Sequence, residues 1–184
     1  IFRPTWAVSL KAFAVCLQYS DDTVYASDKV ETLIQQHNDP ACSQAAKNAI
    51  EDALSTLVQA AGLERVWPWI SWPNSVTTSR ERGWLLGVLK SAGQMAQPVP
   101  LQLAMFQDEI LVLARRFDRA AVTGPAKHKL ENRMGVVDSW KLLPCFLQQI
   151  PPDVSERLPS LTTTMGKVLE DERYPELTSV ICQS

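Results

Sequence analysis

Few residues of this chain have the type and spacing that chemistry needs. There are only two histidines, His37 and His128, far apart in sequence, so acid–base options are thin. The four cysteines, Cys16, Cys42, Cys145 and Cys182, are scattered and form no Cys-x-x-Cys pair. A zinc site needs clustered ligands, and these thiols read instead as small buried side chains in a reducing compartment. No Gly-x-Ser-x-Gly elbow is present. Gly166-Lys167 is followed by Val168, where a phosphate-binding loop needs a hydroxyl to hold magnesium. The carboxylates Glu170, Asp171, Glu172 and Glu176, and the pair Asp21-Asp22, read as solvated helix ends rather than a metal cage. The sequence therefore assigns no catalytic residue, no metal ligand and no cofactor, and it argues against an enzyme.

One stretch has a chemical character of its own. Between Arg115 and Arg133 lie six cations, Arg115, Arg116, Arg119, Lys127, Lys129 and Arg133, against two anions, Asp118 and Glu131. That is a net +4 in a chain of net −2, so the remainder carries −6. Overall acidity excludes a wholesale polyanion binder. A helix end, a Gly124-Pro125 loop and a helix start could still present these cations to phosphate. The competing reading is an ordinary solvated loop or a complement to helix-end charge. Arg80 and Arg82, at another helix start, extend the phosphate-binding candidates.

The elements that must position these residues are helical nearly throughout. Trp6, Leu10, Phe13 and Leu17 form one stripe, broken at Asp21-Asp22, and Val24 to Ile34 form a second helix. Asp39 with Pro40 reads as the cap and first residue of a third helix ending at Gly62. The segment from Val66 to Pro73, with three tryptophans and two prolines, reads as an extended, partly buried connector. Thr78 and Glu81 have capping-box spacing, opening a helix from Arg80 to about Gln94. Pro98 and Pro100 punctuate the next connection. Leu103, Phe106, Ile110, Leu113 and Phe117 form a clear stripe, and Leu130, Met134, Val137, Trp140, Leu143 and Leu147 another. Trp84 and Trp140 fall on such stripes and read as core. Pro144 is expected to kink its helix, with Asp153 capping the next, which carries Leu161, Met165, Val168 and Leu169. Tyr174-Pro175 starts the last. The fold class is all-α, and short Pro-rich connectors between antiparallel helix pairs indicate a HEAT/armadillo-like α-solenoid. At about 40–47 residues per repeat, the chain holds roughly four.

The chain of 184 residues has 46% apolar and 21% charged residues, ordinary for a folded protein. No apolar run of membrane-spanning length occurs. It begins without Met and stops within an apolar pattern. It therefore reads as one HEAT-repeat segment, 1–184, of a larger protein, with 1–73 and 74–184 as its two parts.

Several motifs carry a family resemblance. Arg82-Gly83-Trp84-Leu85-Leu86 looks like Arg-Ala-Trp-Leu-Leu, and the run from Leu103 through Phe106 to Ala114 resembles Leu-x-x-Phe-x-x-x-x-Leu-Pro-Leu-Ala. Trp140-Lys141-Leu142-Leu143-Pro144-Cys145-Phe146, with Asp153 beyond it, is similar to Trp-x-Leu-Leu-Pro-Gly-Phe-Cys followed by Pro-x-Asp. Leu161 to Leu169 and Val180-Ile181-Cys182-Gln183 resemble Leu-Gly-x-Ala-Leu and Val-Cys-Gln. In order and spacing these are similar to the ribosomal RNA-processing protein twelve family, large nucleolar HEAT-repeat proteins. The resemblance implies a non-enzymatic scaffold that binds pre-ribosomal proteins and pre-rRNA in small-subunit assembly and takes part in subunit export. It also implies residence in the nucleolus and nucleus with shuttling to the cytoplasm, and no membrane or small-molecule partner. It transfers no residue-level RNA contact. The alternative is a protein-only adaptor of the karyopherin type, gripping a partner segment in apolar grooves.

Overall fold

A computed structural model describes residues 4–17, 19, 23–70, 72, 80–95 and 99–182. The expectations for the side chains of Trp6 and Leu17, and for Asp21, Asp22, Pro73, Thr78, Pro98 and Gln183, lie outside what is described. Among the described residues every regular element is helical. The chain divides into two compact units, Ile1–Pro73 with Gly87–Val99, and Asn74–Leu86 with Pro100–Ser184.

In the first unit, α1 (Pro4–Leu17) lies on α3 (Gln44–Ala61), and α2 (Thr23–Asn38) lies between them in sequence. The expected α3 start at Pro40 is corrected to Gln44. Asp39 instead closes a turn, accepting from the Ala41 N–H at 2.8 Å, and the Ser43 hydroxyl caps the helix by accepting from Ala46 N–H at 3.3 Å. Gly62 ends α3 with φ 86°, a backbone state that glycine adopts without strain. The expected extended connector is also corrected. α4 (Leu63–Val66) runs into a 3-10 turn, Trp67–Trp69, with a proline in its first turn, where no N–H is needed. Trp67 and Trp69 are buried, and Ser27 Oγ donates to the Trp69 carbonyl at 3.3 Å. α5 (Gly83–Gly93), whose residues up to Leu86 belong to the second unit and the rest to the first, holds Leu85, Leu86 and Leu89 fully buried, while Trp84, expected in the core, is only half-buried. Of the four thiols expected to be buried, only Cys145 is; Cys42 is half-buried, and Cys16 and Cys182 are exposed.

The second unit is built on a helical rod formed by α6 (Leu103–Met105), a π segment (Phe106–Ile110) and α7 (Leu111–Thr123). The Leu103, Phe106, Ile110, Leu113, Phe117 stripe is buried throughout, at 2% exposure or less. Gly124 closes α7 by donating its N–H to the Ala120 carbonyl at 2.9 Å, and a 3-10 turn (Ala126–His128) leads into α8 (Lys129–Trp140). α7 and α8 form an antiparallel hairpin, with Gly135 against the Phe117 ring and Trp140 edge-on to Phe106 at 5.7 Å. Here the expected α8 stripe needs correction. Leu130 and Met134 are 69% and 56% exposed, while Asn132, Gly135, Val136, Ser139 and Trp140 face inward. Gly135 and Ser139 let the helices approach closely, and that contact rotates the larger apolar residues outward.

Pro144 does not kink α8. α8 ends at Trp140, and Pro144 stands in the first turn of a new short helix, α9 (Leu143–Phe146), where its missing N–H costs nothing. Asp153 departs from expectation too. It precedes α10 (Val154–Leu169) but makes no side-chain cap to it. Its carboxylate accepts instead from the Leu103 N–H at 2.9 Å and the Ala104 N–H at 2.8 Å, capping the distant rod. Gln107 Nε2 extends the seam to the Arg157 carbonyl and Ser160 Oγ, and Arg157 reaches Asp108 at 3.4 Å.

α11 (Pro175–Cys182) is pinned by a polar clasp at its entry. Arg173 grips Asp171 with Nε at 2.9 Å and Nη2 at 2.6 Å, and its Nη1 reaches Asp118 at 2.9 Å. The buried Tyr174 donates its hydroxyl to Asp118 at 2.7 Å. Arg133 donates to the Arg173 carbonyl and lies over the Tyr174 ring at 5.6 Å. The hydrogen bonds from Arg173 hold the Asp171 carboxyl below its ordinary pKa. Burial, then the bond to Asp118, pushes the Tyr174 phenol up, so it stays a donor.

Three outcomes follow. Asp153→Ala should cost about 2 kcal/mol, since two N–H donors lose a charged acceptor; a urea midpoint equal to wild type would contradict the trans cap. Gly135→Ala should destabilise by about 1–2 kcal/mol despite better helix propensity, because its Cβ would stand 2.7 Å from the buried Phe117 ring. Asp171 has a depressed folded pKa, so its contribution is present above the ordinary carboxyl pKa and fades as pH falls through the lowered value. Asp171→Asn should therefore be less stable than wild type at pH 7, and the gap between the two urea midpoints should narrow as pH falls below the ordinary carboxyl range.

Candidate nucleic-acid interface

The cationic stretch occupies the α7–α8 hairpin. α7 buries Leu111, Leu113, Ala114, Phe117, Ala120 and Ala121, so residues between these positions face outward. Arg115 and Arg119 are one turn apart and exposed, and Arg116 is half-buried. The loop after α7 and the start of α8 bring exposed Lys127 and Lys129 to the same end of the hairpin as Arg119. Among the described residues, no ion pair engages Arg115, Arg116, Arg119, Lys127 or Lys129.

The remaining candidates are drawn into other work. Arg82 is 7% exposed; the turn it occupies ahead of α5 folds its side chain inward, which corrects its expected place on a phosphate-facing surface. Arg80 is half-buried and pairs through Nε with Glu131 at 3.1 Å. Arg133 belongs to the clasp around Tyr174. Eight sequence candidates thus resolve into one outward group of five, and three cations with structural partners or burial.

The anions in this stretch are also occupied. Asp118 is held by Arg173 and Tyr174, and Glu131 by Arg80 and His128 Nδ1, each at 3.1 Å. The free positive charge on the hairpin is therefore greater than the sequence count of anions suggests. Sequence reading missed Arg173, which neutralises Asp118 from 55 positions away; the Asp171-x-Arg173 spacing was the only local signal of that clasp. Asp171 itself, read as a solvated helix-end carboxylate, is a clasp member.

Helix-end electrostatics do not account for the two lysines. Lys129 is the first residue of α8 and Lys127 lies in the turn before it. A helix N-terminus carries partial positive charge, so cations there are unfavourable by roughly 0.3–1 kcal/mol each. That mild cost is removed when an anion sits nearby. Arg119, near the C-terminal end of α7, is by contrast in the favourable position.

No group of three or more His, Cys, Asp or Glu side chains among the described residues is arranged to hold a metal ion. None of the described helices is long and apolar enough to cross a membrane.

Neither a curated protein nor a solved structure matches the chain. A family described as "Ribosomal RNA-processing protein 12, HEAT repeats" matches residues 3–184, nearly the whole chain. The all-helical elements and their antiparallel pairing accord with a HEAT-repeat α-solenoid. The motifs around Trp84, Leu85 and Leu86 and around Trp140, Leu143, Pro144 and Asp153 fall inside the matched region. The chain belongs to the ribosomal RNA-processing protein 12 HEAT-repeat family, and with it to the machinery of ribosome biogenesis.

Proposed function

We propose that this chain is a non-enzymatic scaffold segment that holds pre-ribosomal proteins and pre-rRNA during small-subunit assembly, with the α7–α8 hairpin as its RNA-phosphate contact. The scaffold is nucleolar and nuclear, and travels with the subunit precursor during export to the cytoplasm. Arg115, Arg116, Arg119, Lys127 and Lys129 neutralise backbone phosphates without reading bases. The observation that carries this reading is the outward group of five cations with no ion pair among the described residues, in a chain whose net charge is −2.

Family membership supports the process, and the hairpin supports the chemistry. Repeat proteins present extended surfaces that suit large partners better than small ligands, which favours a scaffold over an enzyme. Arg133 and Arg80 belong to the support of this surface, while Arg82 is buried.

Replacing Arg115, Arg116 and Arg119 together by Glu should weaken binding to a structured RNA by at least tenfold near physiological salt. The slope of log affinity against log salt should fall by roughly 2–3, at about 0.9 per lost phosphate contact. Filter binding across a salt series measures both. An unchanged affinity and slope would refute the assignment.

A further inference from the structure

We infer that the groove between the start of α5 and the α7–α8 hairpin is a peptide-docking site, and that its occupant is a protein segment presenting an arginine or lysine beside an apolar side chain. The groove has a volume of about 450 Å³, and every residue lining it belongs to the second compact unit. Trp84, Phe117 and Met134 supply an apolar lining, and Glu81, Glu131 and Asp138 supply carboxylates against the single cation Arg80.

This composition selects a cation over an anion. Glu131 already balances Arg80 at 3.1 Å, and Asp138 is held by Lys141 at 2.7 Å. Glu81 is exposed and no ion pair among the described residues engages it. A guanidinium or ammonium entering the groove would pair with Glu81 while lying against an aromatic ring, an arrangement worth roughly 0.5–2 kcal/mol from the ring alone. Met134, 56% exposed, offers an unbranched and adaptable apolar contact for the neighbouring side chain. RNA is disfavoured, since a phosphate entering the groove would meet the Glu81 carboxylate, which no ion pair among the described residues balances. The inference does not depend on the phosphate-binding reading, which uses different side chains.

Gly83 provides the test. It lines the groove, and a Cβ built on it meets nothing within 4 Å. Gly83→Phe should therefore fill the groove without backbone conflict. Gly87 is equally open but does not line it, so Gly87→Phe is the matched control. The probe is the peptide acetyl-Leu-Arg-Leu-Arg-Leu-amide, with the same peptide bearing Glu for Arg as counter-probe, titrated calorimetrically into the 184-residue chain. Binding of the Arg peptide should weaken at least tenfold in Gly83→Phe and about threefold or more in Glu81→Gln, and stay within twofold of wild type in Gly87→Phe. Circular dichroism melts within a few degrees of wild type establish that each variant folds. The proposal is overturned if the Arg peptide does not bind, if the Glu peptide binds equally, or if Gly83→Phe and Gly87→Phe behave alike. It is also overturned if Gly83→Phe weakens binding of a structured RNA and spares the peptide.

Discussion

The second compact unit depends on one carboxylate placed across a gap of fifty residues. The backbone N–H groups of Leu103 and Ala104, at the start of the long rod, have no carbonyl one turn earlier to bond. Asp153 supplies both missing acceptors, at 2.9 and 2.8 Å. A residue at the beginning of one helix thus completes the beginning of another. Because the rod begins at Leu103, the register of everything after it follows: the π segment, the buried Phe106 and Ile110, and the face of α7 that presents Arg115 and Arg119. The bonds of Gln107 to Arg157 and Ser160 extend the same seam by one turn.

A second constraint shapes the surface. α7 and α8 approach closely because Gly135 leaves room for the Phe117 ring and Ser139 returns its hydroxyl to the Gly135 carbonyl at 2.7 Å. Burying small and polar residues on the contact face leaves larger ones outside. Leu130 and Met134 become surface, and Met134 becomes a wall of the Trp84 groove. The same hairpin therefore offers an exposed cationic end and an apolar, acidic-rimmed flank. The two surfaces differ in chemistry.

Much of the fold was legible in the sequence. Leu103, Phe106, Ile110, Leu113 and Phe117 at helical spacing gave the core of the rod, and Gly62 marked the end of α3, because both signals act within a few residues. The errors came where local rules allowed two answers. Pro144 suits a helix start as well as a kink, and only the end of α8 at Trp140 distinguishes them. Capping residues also leave their target open: Asp39 and Ser43 both have the chemistry, and the helix begins after the second. Of the site, the cationic cluster was visible as a count of charges. Which of those charges remain outward was not, since Arg173 and Glu131 act on Asp118 and Arg80 through distant contacts.

The sequence by itself determined the all-helical architecture, the family and the segregation of positive charge between Arg115 and Arg133. These rest on periodicity, motif order and composition, which are properties of neighbours along the chain. Only the tertiary structure decided that Asp153 caps Leu103 rather than its own helix, that Arg82 is buried while Arg115 and Arg119 face outward, and that Met134 lines a groove rather than the core. Each of these is settled by where a side chain finds its partner in space. A hydrogen-bond acceptor, a guanidinium or a thioether satisfies local rules equally well in either place, and the competition among contacts distant in sequence selects one.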